Sequence, residues 1–209
     1  MKRTFISAIL IALSVVCTVA ANAQTIQDVF KAETNLTWLG IDFSGVKILG
    51  HTDIEVEDFT NRQFAGINEL VLNEPKKFDL PKAFHKAGVE TDLSVVKAKN
   101  KGLDPDKIKS ANDADRSRFT NKTIEKMVKG YNISGKKGVG VVFIMESMSK
   151  TAERSSMYIT FINMSTGKVI HTERIEEKVG GFGLRNYYAK SIYEALKDIE
   201  KTKYKDWKG

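Results

Sequence analysis

Thiol chemistry is almost missing from this chain. Its only cysteine among 209 residues is Cys17, and it lies inside the apolar stretch Phe5 to Ala20. Lys2 and Arg3 stand before that stretch, and Ala21-Asn22-Ala23 followed by Gln24 forms a small-x-small cleavage pattern. The layout is that of a secretory signal peptide cut after Ala23. The apolar run is also short for a membrane span. An acylated Cys17 would need a small residue before it, and Val16 stands there instead. Removing residues 1–23 from 209 leaves 186 without a thiol, which excludes disulfides, thiolate metal centres and a cysteine nucleophile. A chain of that length buries a core of its own, so one globular domain over 24–209 is expected, periplasmic or secreted. Mass spectrometry of the processed protein should find Gln24 at the N-terminus. A lipid-modified Cys17 would overturn this reading.

A second apolar span is lacking too, as are internal repeats and low-complexity tracts. Acidic residues are the minority charge, with 26 Asp and Glu against 33 Lys and Arg, and the formal charge of +7 becomes +5 without Lys2 and Arg3. The basic residues are mostly lysines spread along the chain, as at Lys97 to Lys109 and Lys197 to Lys208. Nucleic-acid binders cluster arginine and aromatics on one face, so no nucleic-acid partner is expected. A solvated lysine surface, with a modest attraction to acidic surfaces such as membranes or envelope polymers, fits better.

The patterning predicts an α/β (α+β) fold: a mixed or antiparallel sheet of about five strands with helices packed on it. Leu36 to Gly50 reads as extended. Thr60 and Gln63 resemble a capping box opening a helix whose apolar face is Phe64, Ile67, Leu70 and Val71, closed by Pro75. A short helix starts near Asp79-Leu80-Pro81, and Val89, Thr91, Leu93 and Val95 alternate as a strand. Lys99 to Asp115 reads as a loop. A helix carries Ile124, Met127 and Val128 and stops at Gly130. Val139 to Met148 is apolar on both faces, as a central strand should be. Met157 to Met164, a turn at Ser165 to Lys168, and Val169 to Val179 follow. After the break at Gly180-Gly181-Phe182-Gly183 comes a helix from about Leu184 to Lys201, with Tyr188, Ala189, Ile192, Leu196 and Ile199 turned to the sheet.

Several local patterns carry chemistry only in name. Gly130 to Lys137 nearly spells a phosphate-binding loop, but Lys137 stands where Ser or Thr must hold magnesium, and helix precedes strand. His51, Asp53, Glu55 and Glu57 would share one side of an extended segment and offer oxygen and imidazole ligands. A charged edge strand is the plainer alternative. His85 and His171 lack partners at ligand spacing. No serine sits in a trustworthy nucleophile motif, and the four Asn-x-Ser/Thr sequons matter only in a glycosylating host. No catalytic residue, metal or cofactor is therefore assigned. The candidate binding residues are Gly181, Gly183, Arg185, Asn186 and Tyr187. Glycines before a helix leave backbone donors at its positive end, with Arg185 beside them. A purely structural corner is the alternative.

The segment from Val139 to about Glu200, with its turn Asn163-Met-Ser-Thr-Gly-Lys168, resembles a group of bacterial envelope domains. These include the curli-secretion lipoprotein, the lipoprotein activators of penicillin-binding proteins, and the amino-terminal domain of the Tol-system propeller protein. Their hairpin carries an Asp-x-x-Thr-Gly turn, and Asn163 stands where the Asp is expected. The whole chain, with Thr37 to Ser44 and Gly181 to Tyr188, is similar to small secreted proteins of Bacteroidetes. The resemblance implies a module that binds or assembles an envelope protein or polymer, with no catalytic site to carry over. A hydrolase whose carboxylates meet only in the fold is the alternative.

Overall fold

Strands that are apolar on both faces need cover on both, and the last third of the chain is built around one. The structure, a computed structural model, describes residues 24–133 and 135–209. The signal-peptide and Cys17 readings lie outside them, as does Ser134 in the phosphate-loop look-alike. The described residues open with a short helix α1 (Ile26–Val29), then strands β1 (Leu36–Asp42) and β2 (Lys47–Leu49). Helix α2 (Asp53–Asp58) continues through a π-helical turn, Phe59–Gln63, into α3 (Phe64–Asn73). Then come α4 (Leu80–Ala83), β3 (Glu90–Thr91), α5 (Ser94–Asn100), α6 (Pro105–Ile108) and β4 (Lys109–Ser110). A 3-10 turn at Asp113–Ser117 leads to α7 (Asn121–Lys129) and the long strands β5 (Val139–Ser149), β6 (Arg154–Asn163) and β7 (Lys168–Lys178). Helix α8 (Leu184–Asp198), a second π turn at Ile199–Lys203 and α9 (Tyr204–Lys208) end the chain.

β5 is the centre of the sheet. One edge pairs antiparallel with β6 along its length, and β6 pairs antiparallel with β7. The other edge is shared by β1, from Leu36↔Val139 to Asp42↔Ile144, and by β2, from Lys47↔Ser147 to Leu49↔Ser149, both parallel. β3 and β4 add short parallel ladders outside β1 and β2. The expectation of a mixed or antiparallel sheet of about five strands is thus corrected in part: among the described residues there are seven strands, and the half built from β1 to β4 is parallel to β5. β1 and β2 lie in line, so the seven occupy five rows. Every residue of β5 is buried, as a strand covered on both faces requires.

Between β3 and β4 the outer edge of β1 would be left without partners, and two asparagines fill the gap. Asn68 of α3 accepts the Ile41 N–H at 2.8 Å and donates to the Ile41 carbonyl at 3.0 Å. Asn100, the last residue of α5, accepts the Phe43 N–H at 2.7 Å and donates to the same carbonyl at 2.9 Å. Buried backbone groups need such partners. The close approach requires glycine at Gly40, where φ is +96° and an added Cβ would come within 2.7 Å of Asn68, Leu93 and Val96.

One face of β5 and β6 carries Phe143, Ile159 and Phe161, and Phe161 packs edge-on against Phe84 and Trp207. The other face is partly polar. Asp42 accepts the Tyr131 hydroxyl at 2.6 Å, and the fully buried Glu146 accepts from Arg174 at 2.7 Å. A single apolar cluster runs from Val29 to Trp207.

Several expected elements are corrected. The helix opens at Thr52, whose capping box with Glu55 is complete, and not at Thr60, whose hydroxyl donates to the Glu57 carbonyl. Consequently Asp53 to Glu57 is helical rather than extended, with His51 just before the cap. The strand expected over Val89 to Val95 is only Glu90–Thr91, because Val95 and Val96 are buried from helix α5. The loop expected from Lys99 to Asp115 contains α6 and β4.

Candidate functional site

The glycine-rich corner connects β7 to α8. Gly181 and Gly183 have φ values of +111° and +79°, which side-chain-bearing residues adopt only with strain. These turns fold the loop back over the first turn of α8. Gly180 N–H donates to the Tyr187 carbonyl at 2.9 Å, and the Asn186 side chain donates to the Phe182 carbonyl at 3.3 Å. Gly183 offers no capping side chain. Phe182 is left 96 % exposed at the tip.

Beside this corner lies an open cleft of about 440 Å³, lined by Asp58, Arg62, Gln63 and Gly66 on one wall and by Gly183, Leu184, Arg185 and Asn186 on the other. The first wall is the π-helical turn and the start of α3. A π turn inserts one residue into a helix and often marks a functional site. Arg62 and Gln63 both bond the Asp58 carboxylate, Gln63 at 2.6 Å. Burial pushes the Asp58 carboxyl up, but the bonds from Arg62 and Gln63 outweigh it and the net shift is downward. Arg185 lies across Gly66, where an added Cβ would stand 3.1 Å from its Cδ. The carboxylate of the cleft is already engaged by Arg62, and among the described residues Arg185, which lines the cleft, forms no ion pair.

Behind the cleft a polar chain ties α2 to α8. His51 Nδ1 lies 3.2 Å from Glu55, and Nε2 lies 2.5 Å from the Tyr188 hydroxyl. A neutral His51 protonated at Nδ1 donates to Glu55 and accepts from Tyr188. The Phe59 ring stands edge-on to Tyr188. The Thr52 backbone N–H, aided by Lys150 and His51, holds the Glu55 carboxyl down at about 2. Burial lowers the His51 pKa and raises that of Tyr188, so both stay neutral near pH 7.

The sign of a pH effect follows. The unfolded state, with an ordinary His pKa of 6.5, binds the proton more readily than the fold. Stability from His51 is therefore present above that pH and lost as pH falls toward the lowered folded value. His171, also lowered by burial, acts in the same direction. Thermal unfolding should give a lower midpoint at pH 5 than at pH 7.5, and His51→Asn should reduce the difference. An equal slope in the variant would exclude His51 as a source.

Of the residues singled out from sequence, Gly183, Arg185 and Asn186 line the cleft. Gly181 shapes the loop above it. Tyr187 is half-buried against Tyr188, edge-on at 5.1 Å, and is not part of the lining. The opposite wall, Asp58 to Gly66, escaped the sequence reading because the helix start was placed at Thr60. The set His51, Asp53, Glu55 and Glu57 does not converge: His51 and Glu55 meet, and among the described residues no group of three or more such side chains is arranged to hold a metal ion. No described helix is long and apolar enough to cross a membrane. No family model matches the chain, and comparisons with curated proteins and with solved structures find no match.

Proposed function

We propose that this chain is an exported envelope protein that binds a protein or polymer partner without performing chemistry on it, and that the cleft between the π turn and α8 is where it does so. The observation that carries this reading is the combination in one opening of Arg185, which has no ion pair among the described residues, polar Asn186 and Gln63, and the exposed Phe182 beside Gly183. Arginine and aromatic anchors supply much of the energy at interfaces. The hydrolase alternative has less behind it. Asp58 is the one carboxylate lining the cleft among the described residues, and its oxygens are taken by Arg62 and Gln63. Tyr188, at the end of the Glu55–His51 chain, is 1 % exposed and out of reach of a substrate.

Affinity capture from envelope extracts tests the proposal with wild type, Arg185→Ala and Phe182→Ser. Both variants should keep the wild-type melting temperature and lose most of the captured partner. Capture that survives both substitutions would remove the cleft from consideration. Melting that collapses with Arg185→Ala would make the arginine a packing element.

A further inference from the structure

We infer that a second cleft, built on other elements than the corner and independent of the proposal above, binds a small phosphomonoester through Arg118 and Lys47. Its volume is about 450 Å³. Residues 44–47, which join β1 to β2, form one wall, residues from the 102–108 segment form the other, and Arg118 completes the lining. Asp104 is the one carboxylate lining the cleft among the described residues, and it is taken within its own segment. It accepts the Asp106 backbone N–H at 3.0 Å and pairs with Lys107 at 3.2 Å. Arg118 and Lys47 have no ion pair among the described residues. Lys47 donates to the Lys107 carbonyl at 2.6 Å, and Arg118 Nη2 donates to the Gly45 carbonyl, while Arg118 Nε is buried without a partner. Asp115 and Glu146 act on Arg118 from beyond ion-pair distance, and each is engaged elsewhere, by the Ser110 hydroxyl at 2.6 Å and by Arg174 at 2.7 Å. Burial outweighs them and pulls the Arg118 pKa down. The guanidinium stays charged all the same, so a half-buried cation is left without a counter-charge, which proteins ordinarily supply.

The guanidinium is held in place before any ligand arrives. Its Cζ stands 4.3 Å from the centre of the Phe119 ring, a cation–π contact that restrains the side chain. Phe119 in turn packs so closely on residue 45 that a Cβ there would lie 2.8 Å from its ring, which requires glycine. The carbonyl of that same Gly45 takes Nη2. Ring and carbonyl thus fix the arginine on two sides, and most of its five N–H donors remain for a ligand. A planar guanidinium presents paired donors that match the oxygens of a carboxylate or a phosphate. Lys47, beside it in the lining, adds a second cation. Two cations without counter-charge suit a phosphomonoester, with a charge of about −1.5 to −2 at pH 7, better than a singly charged carboxylate. A cleft of this size holds a small molecule rather than a bare ion. Val46, Leu103 and Ile108 give its walls an apolar part for the body of the ester.

Titration of the backbone amide resonances with phenyl phosphate, inorganic phosphate and benzoate, at constant ionic strength, tests the site. Phenyl phosphate should give saturable shifts confined to residues 44–47, 102–108 and 118, and benzoate should bind at least about tenfold more weakly. Arg118→Lys, which keeps the charge and loses the fork, and Lys47→Gln should each weaken phenyl phosphate by about tenfold or more. Lys101→Gln removes a neighbouring charge outside the lining, and its affinity should stay within about twofold of wild type at physiological salt. Lys47→Gln should melt as wild type does, so it decides the matter if Arg118→Lys unfolds. Absence of saturable binding, an equal loss in Lys101→Gln, or an unchanged affinity in Lys47→Gln overturns the site. Benzoate bound as tightly as phenyl phosphate, or inorganic phosphate bound more tightly than either, overturns the phosphomonoester as its ligand. Arg185→Ala should leave this binding unchanged, so failure here and failure at the corner are told apart.

Discussion

Asn68→Ala should be the most damaging single substitution of a polar residue in the chain, lowering stability by about 2–5 kcal/mol. The side chain is buried and satisfies both backbone groups of Ile41, at 2.8 and 3.0 Å. Alanine would strand a buried N–H and weaken the bonding of a carbonyl, and each unsatisfied buried group costs roughly 1–3 kcal/mol. A small cavity beside Gly40 adds to the loss. Urea denaturation would read the change as a lower midpoint at unchanged slope. A loss below about 1 kcal/mol would mean that water replaces the amide, and that Asn100 alone holds the outer edge of β1. Asn100→Ala should cost less, because its side chain is only half-buried and the Ile41 carbonyl would keep the Asn68 amide.

Glu146→Ala follows closely, at about 3 kcal/mol or more, as expected when one partner of a buried pair is removed. Glu146 is fully buried in β5 and accepts from Arg174 Nε at 2.7 Å and from the Phe119 backbone N–H. Arg174 also donates to the Arg116 carbonyl at 2.9 Å and to Glu176 at 3.2 Å. The guanidinium is partly exposed, and that moderates the penalty. Glu146→Gln should be milder, since the amide oxygen still accepts from Phe119. The double variant Glu146→Leu/Arg174→Leu should recover much of the loss, because a matched apolar pair leaves no charge behind. If the double variant is as unstable as the sum of the two single ones, the pair is not coupled and the stabilisation lies in the bond to Phe119.

The C-terminal half was largely legible because its signals are local. β5 opens with a run, Val139 to Met145, that has no polar side chain, the Asn163 to Lys168 turn joins β6 to β7, and Tyr188, Ala189 and Ile192 repeat at helical spacing. The N-terminal half misleads for physical reasons. Thr52 with Glu55 and Thr60 with Gln63 offer the same cap chemistry, and only the former lies where the chain leaves the sheet. The π turn at Phe59–Gln63 then shifts the phase of the apolar stripe, so a helix that runs on from Asp53 reads as one that begins later. Val89 to Val95 alternates like a strand, but burial of Val95 and Val96 against β1 favours a helix there. Parallel pairing of β1 and β2 with β5 has no local signature, since nothing near Leu36 points to Val139. The cleft was half legible for the same reason. Its glycines and Arg185 are adjacent in sequence, whereas Asp58 and Gly66 reach it only through the packing of α3 on α8.

That one edge of β5 is completed by β1 and β2 has a bearing on how the chain acquires its shape. The β5–β6–β7 meander closes through tight turns and has low contact order, while the parallel ladders require Leu36 to find Val139. Closing so long a loop carries an entropic cost before any contact is returned. The meander is thus expected to nucleate folding, with φ-values high at Phe143 and Ile159 and near zero at Leu36 and Ile48. A chain that emerges N-terminus first presents β1 well before its template exists. Until β5 arrives, Leu36-Thr37-Trp38-Leu39 is an unpaired β-forming segment open to association with other chains. Aggregation during refolding should therefore be set by how long that segment waits, and a charged substitution within it would be more protective in the unfolded chain than harmful only at a position facing solvent, which the wholly buried β1 does not offer.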